Sequence, residues 1–170
     1  MSDVALLGDD GAALAATVID AWISTWLDEG TFLLAAERQK VTDGSGSARW
    51  YLRFAGEEKD AITVWATLRQ RTLHTEVQLM ATPEENLEEV YAYLLRCNAE
   101  MYGMAYAFGP DDALYLMGRT SAVGLEEGTL DRVFGSAVHY VDRHYPIAMA
   151  LGFPAWYRRR PARNRSRSGQ

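Results

Sequence analysis

The sequence predicts an α+β fold, an antiparallel β-sheet (a meander plus a C-terminal hairpin) with helices packed on one face. Three observations carry this. Three successive stretches between residues 48 and 80 alternate apolar and polar side chains, a helical stripe of apolar residues precedes them, and residues 83–153 read helix, tight hairpin, helix. Of the 170 residues, 48% are hydrophobic, with five Trp, nine Tyr and five Phe, enough for the core of one domain.

Leu14, Val18, Trp22 and Trp26, widened by Ile19 and Ile23, recur at helical spacing and predict a helix over residues 10–29, stopped at Gly30. The stretch "TFLLAAERQKVT" fits strand or helix; strand is favoured because "DGSGS" and the clear strand "ARWYLRF" follow, which makes a hairpin. In that strand Trp50, Leu52 and Phe54 oppose Arg49, Tyr51 and Arg53. In "AITVWATLR" Ile62, Val64, Ala66 and Leu68 oppose Thr63, Trp65, Thr67 and Arg69, and "LHTEVQLM" repeats the pattern. Polar residues on a single face mean a sheet covered on one side. Thr82, Pro83 and Glu85 resemble a helix start, with a buried stripe of Leu87, Val90, Tyr91, Leu94, Cys97, Asn98 and Met101 behind them. "GPDD" turns between "AYAF" and "ALYLMGR". The last helix buries Leu130, Val133, Phe134, Ala137, Val138, Val141 and Tyr145, and Pro146 is expected to kink or restart it.

Charge divides the chain. The net charge of −6 combines eleven basic against 23 acidic residues up to Tyr157 with six arginines after it: Arg158, Arg159, Arg160, Arg163, Arg165 and Arg167. The expected organisation is one α+β domain over residues 1–157 and a basic, disordered tail over 158–170. The acidic N-terminus lacks a signal-peptide pattern, and the apolar run over residues 11–27 is too short and polar to span a membrane. A single cysteine, Cys97, rules out an internal disulfide and a multi-cysteine metal site, and a cytoplasmic location is the simplest reading.

No residue pattern supports catalysis, a cofactor or a metal. His139 and His144 lie five apart and diverge on a helix, and His74 stands alone on a strand. Cys97, between Leu94 and Met101, reads as core. "GSGSA" has no Walker Lys and reads as a hairpin turn, and the adjacent Asp111 and Asp112 read as turn chemistry.

Two features are left as candidate sites. Tyr51, Arg53, Trp65 and Arg69 form a candidate interaction surface on the polar sheet face, to be covered either by a client or by a helix or dimer mate. The six tail arginines form a candidate polyanion contact, a weak hold on nucleic acid or an anionic membrane; alternatively they fold back on the acidic body.

The order helix, meander, helix, hairpin, helix resembles the YbjN family, whose members share a fold like that of type III secretion chaperones. The resemblance covers roughly residues 31–153 and rests on "LLRCN" with Asn98, a junction at Gly103 leading into "FGPDDALYL", and a closing "VDRHYP". It implies a non-enzymatic, homodimeric module, chaperone-like or regulatory in stress or sensory response, that binds a segment of a partner protein. The alternative is a regulator held on nucleic acid or an anionic surface by the arginine tail.

Overall fold

The computed structural model describes residues 9–42 and 48–160. In chain order the elements are α1 (Asp9–Glu29), β1 (Leu33–Gln39), β2 (Ala48–Ala55), β3 (Ala61–Leu68), β4 (Thr72–Met80), α2 (Leu87–Glu100), β5 (Met104–Phe108), β6 (Leu114–Ser121), α3 (Glu127–Gly152) and α4 (Pro154–Arg159). The six strands form one antiparallel sheet in the order β1-β2-β3-β4-β6-β5. The meander thus supplies four strands, and the later hairpin adds to β4 through its second strand, leaving β5 at the edge. The "GSGSA" turn falls on residues 43–47, outside the described residues.

Alternation decides which side is inside. Trp50, Leu52, Phe54, Ile62, Val64, Leu68, Leu73, Val77, Leu79 and Leu116 are buried on one face, and α1 and α3 cover it. The centre of the core is aromatic: the Trp22 ring lies 4.8 Å from that of Phe134 and 6.4 Å from that of Phe54. Both buried indoles are satisfied, Trp22 Nε1 donating to Asp131 (2.8 Å) and Trp50 Nε1 to Asp20 (2.8 Å). α1 ends as its sequence predicts, with Gly30 at φ 65° and its N–H bonded to the Trp26 carbonyl.

Several expectations are corrected. Leu14 is 67% exposed; the buried stripe of α1 instead runs through Ala15, Ala16, Ile19, Trp22 and Ile23. The Thr82–Pro83–Glu85 signal does not start a helix. The N–H groups of Glu84 and Glu85 donate to the Gly152 carbonyl at the end of α3, Thr82 Oγ1 donates to the Asp111 carbonyl, and α2 begins only after Asn86. A tertiary acceptor has taken the donors that a local cap would have used, and Leu87, four residues into the expected helix, is exposed. α3 is assigned as one helix through Pro146 and does not restart there. Past the proline it buries His144's successors Ala148, Met149 and Gly152, and that packing holds the helical path despite the missing donor. At Gly152 an added Cβ would stand 2.7 Å from the flexible Met80 Cε and 3.0 Å from Pro83 Cβ, so a larger residue would make Met80 and the turn shift.

Three arginines of the expected tail lie within the described residues. Arg158 and Arg159 close α4, and the Arg160 guanidinium sits 5.9 Å from the Tyr145 ring centre and donates to the Glu58 carbonyl. Arg163, Arg165 and Arg167 lie outside the described residues.

Candidate interaction surface

The outward side chains of β2, β3, β4 and β6 form a face over which no described helix packs. Strand register brings Glu37, Tyr51, Trp65, Glu76 and Met117 into one row across five strands. Tyr51 and Trp65 meet edge to face, ring centres 5.0 Å apart, both half-buried. On one side of this row lie Arg49, Thr67, His74 and Arg119; on the other, Arg53 is paired with Thr63. Arg49 donates through Nε to Thr67 Oγ1 (3.1 Å). Arg69 stands just beyond β3, in the turn its N–H closes on the Thr72 carbonyl (2.8 Å), rather than within the strand.

This face is electropositive within an acidic chain. The His74 imidazole is held below its usual range by burial and then by the positive charges of Arg69 and Arg119, with Glu76 opposing. Toward the β2–β3 turn the face dips into a depression of about 280 Å³ lined by Lys59, Thr63, Trp65, Gln78 and Tyr115. Burial pushes the Lys59 ammonium down to about 8; its Nζ donates to the carbonyls of Gln78 (2.6 Å) and Leu79 (3.3 Å). Lys59 also lines a cleft of about 540 Å³ against Tyr145, Trp156, Arg159 and Arg160, so the arginines that open the tail adjoin the same end of the sheet.

The structure thus brings Tyr51, Arg53 and Trp65 together and sets Arg69 at their border. Sequence reasoning missed Tyr115, Met117 and Arg119, although alternation in "ALYLMGR" was the signal that places them outward. It also missed Lys59, which no local pattern marks.

Several other chemistry-bearing residues make contacts that hold the fold together. Asn98 pairs with both backbone groups of Tyr106 on edge strand β5: its Nδ2 donates to the carbonyl (3.1 Å), and its Oδ1 accepts from the N–H (2.6 Å). The Tyr106 hydroxyl lies 3.3 Å from the Tyr140 carbonyl and 3.0 Å from His144 Nδ1, and the imidazole tautomer decides which of the two takes its proton. His144, under a tenth exposed, is lowered by burial and then by Arg143 and His139, with Glu100 opposing. Burial raises the Cys97 thiol, away from the reactive thiolate. The Asp142 carboxylate on α3 accepts from the N–H groups of Glu57, Glu58 and Lys59 (2.8, 2.8 and 2.9 Å), fixing the β2–β3 turn. Among the described residues no group of three His, Cys, Asp or Glu is placed to hold a metal ion. No helix among them is long and apolar enough to cross a membrane.

Comparison with known proteins gives a consistent picture. The model of the YbjN family, described as "Putative bacterial sensory transduction regulator", matches residues 11–147. Uncharacterized proteins of Mycobacterium tuberculosis and Mycobacterium bovis are 31% identical over 115 residues, 68% of this chain; the chain spans 63% of their length. An uncharacterized protein of Mycobacterium leprae is 26% identical over 125 residues, 74% of this chain and 67% of its own. Among solved structures, a chain of the heterodimeric ExoU–SpcU complex of the Pseudomonas aeruginosa type III secretion system superposes with a TM-score of 0.51 at 15% identity. The match covers 76% of this chain and 96% of that one. The fold is therefore of the type III secretion chaperone kind.

Proposed function

We propose that this chain, which belongs to the YbjN family, is a non-enzymatic, chaperone-like or regulatory module that binds a segment of a partner protein on the open face of its sheet and acts as a homodimer. The observation that carries this reading is the half-buried Tyr51–Trp65 pair standing on a face that no described helix covers. Large aromatic side chains with neighbouring arginines are what binding surfaces concentrate, and a fixed sheet presents them without ordering cost. The fold neighbour is a chain from a complex between two proteins, which lends the reading support at the level of architecture.

A photo-crosslinking residue in place of Trp65, with a second at the exposed Glu89 on α2 as control, tests it in cells. Discrete protein adducts from position 65 alone are expected; equal labelling from both positions would defeat the proposal. Light scattering on the full chain addresses the homodimer, which a monomer at tens of micromolar would exclude.

One observation favours a second reading. Arg160 donates to the Glu58 carbonyl, and Arg159 and Arg160 line the cleft that Lys59 borders at one end of the sheet, while Arg163, Arg165 and Arg167 lie outside the described residues. In that reading the arginines hold a polyanion, nucleic acid or an anionic membrane, and binding falls steeply with salt. A chain ended at Arg160 that retains full, salt-insensitive binding would remove it.

A further inference from the structure

We infer that the segment received by the open face is acidic, with carboxylates spaced between apolar residues. This rests on the protein-binding reading above and names its partner by charge. The chain carries eleven basic against 23 acidic residues up to Tyr157, yet this face reverses the balance. Arg53, Arg69 and Arg119 are exposed there, and their side chains make no hydrogen bond or ion pair with another described residue. His74 lies among these charges, its imidazole lowered first by burial and then by Arg69 and Arg119. Against these stand Glu37 and Glu76, both in the aromatic row. The cations lie on both flanks of that row, so an extended chain laid along it places apolar side chains over Tyr51 and Trp65 and acidic ones at the borders.

The same arrangement disfavours a nucleic-acid strand. Tyr51 and Trp65 face each other edge-on at 75°, leaving neither ring as a flat stacking platform, and Glu37 and Glu76 bracket the pair where phosphates would pass.

The test uses the full-length protein and three fluorescent probes: a 12-residue peptide alternating Glu with Leu and Phe, its twin with Lys for Glu, and a 15-nucleotide oligo-dT. The acidic peptide is expected to bind at least tenfold tighter than either other probe. The exposed double variant Arg53→Glu/Arg119→Glu should erase that preference while its circular dichroism stays that of the parent, and Arg53→Gln/Arg119→Gln should weaken it partway. Both peptides binding alike, with loss of both in Trp65→Ala, would sink the charge inference and leave the protein-binding reading standing. Absence of peptide binding beside adducts from position 65 would do the same; absence of both removes the two together. Tighter binding of oligo-dT, or self-association abolished by the double reversal, would replace the acidic partner with nucleic acid or with a second copy of this chain.

Discussion

Replacing Asn98 by Ala removes side-chain partners of both backbone groups of Tyr106, and the cost can be worked from geometry. Its carboxamide makes bonds of 2.6 and 3.1 Å to the N–H and C=O of a residue only 6% exposed. Each neutral hydrogen bond is worth about 0.5–1.5 kcal/mol net, and a buried donor left without a partner costs about 1–3 kcal/mol. Because α2 is half-open to solvent at position 98, water recovers part of that penalty, and the expected loss is about 2–4 kcal/mol. For a urea slope of about 2 kcal/mol/M, within the range of a small domain, the unfolding midpoint should fall by about 1–2 M. Amide exchange adds a local readout, since the Tyr106 N–H should lose protection before the central strands do. The variant also uncovers an edge strand, so it should aggregate more readily than the parent. A loss below about 0.5 kcal/mol, with Tyr106 exchange unchanged, would refute the idea that Asn98 serves as the missing strand partner.

Other consequences follow from groups that lie away from the proposed surface, His74 excepted. His144 is lowered in the folded state, so the unfolded chain takes up its proton first. Stability is therefore expected to be full above the unfolded value of about 6.5 and to decline as pH falls below it. His74 shifts in the same direction, so urea titrations of His144→Gln and His74→Gln between pH 7.5 and 5.5 apportion the loss; a flat wild-type profile would contradict both. Asp142→Ala removes the acceptor of three turn N–H groups, two of them solvent-exposed, and should cost about 2 kcal/mol while raising amide exchange at Glu57, Glu58 and Lys59. Cys97 is expected to resist thiol reagents in the native protein and react rapidly in urea, and prompt native labelling would show that the thiol is not packed as described.

The sheet was legible because its signal has period two. In β2, Trp50, Leu52 and Phe54 are all 1% exposed or less, whereas Arg49, Tyr51 and Arg53 on the same strand are not buried. Where a local rule failed, a distant group had intervened. Thr82-Pro83-x-Glu85 carries the residues of a helix start, but the carbonyl of Gly152, some 68 positions on, takes the N–H groups of Glu84 and Glu85. Pro146 is expected to kink or restart α3, yet the helix runs on to Gly152 without restarting, with Ala148 and Met149 buried beyond the proline. Polar residues gave the poorest forecast. Asn98 was placed on the right stripe of α2, but nothing in the sequence says that it faces a strand backbone. Asp142 is 83 to 85 residues from the N–H groups it holds, a relation no spacing rule contains. The candidate surface was half legible: Tyr51, Arg53 and Trp65 followed from alternation, whereas Arg119 joins them only because β6 returns beside β4.

If the open face receives a partner segment as proposed, α3 explains why it need not rearrange to do so. Along its length Asp131 holds Trp22 of α1, and Phe134 enters the core. Tyr140 and His144 hold edge strand β5 through Tyr106, Asp142 holds the β2–β3 turn, and Gly152 holds the turn into α2. The inner side of the sheet is thus fastened near both edges and at one end by a single helix, while the outer side carries charge and aromatic surface with no structural duty assigned to Arg53 or Arg119. Stability and recognition should therefore separate by face. Substitutions on α3 are expected to lower the unfolding midpoint without changing which peptide is preferred, and reversal of Arg53 and Arg119 should change the preference at nearly constant midpoint. If reversing those arginines unfolded the protein, the outer cations would belong to the fold itself, and the division of labour between the two faces would have to be abandoned.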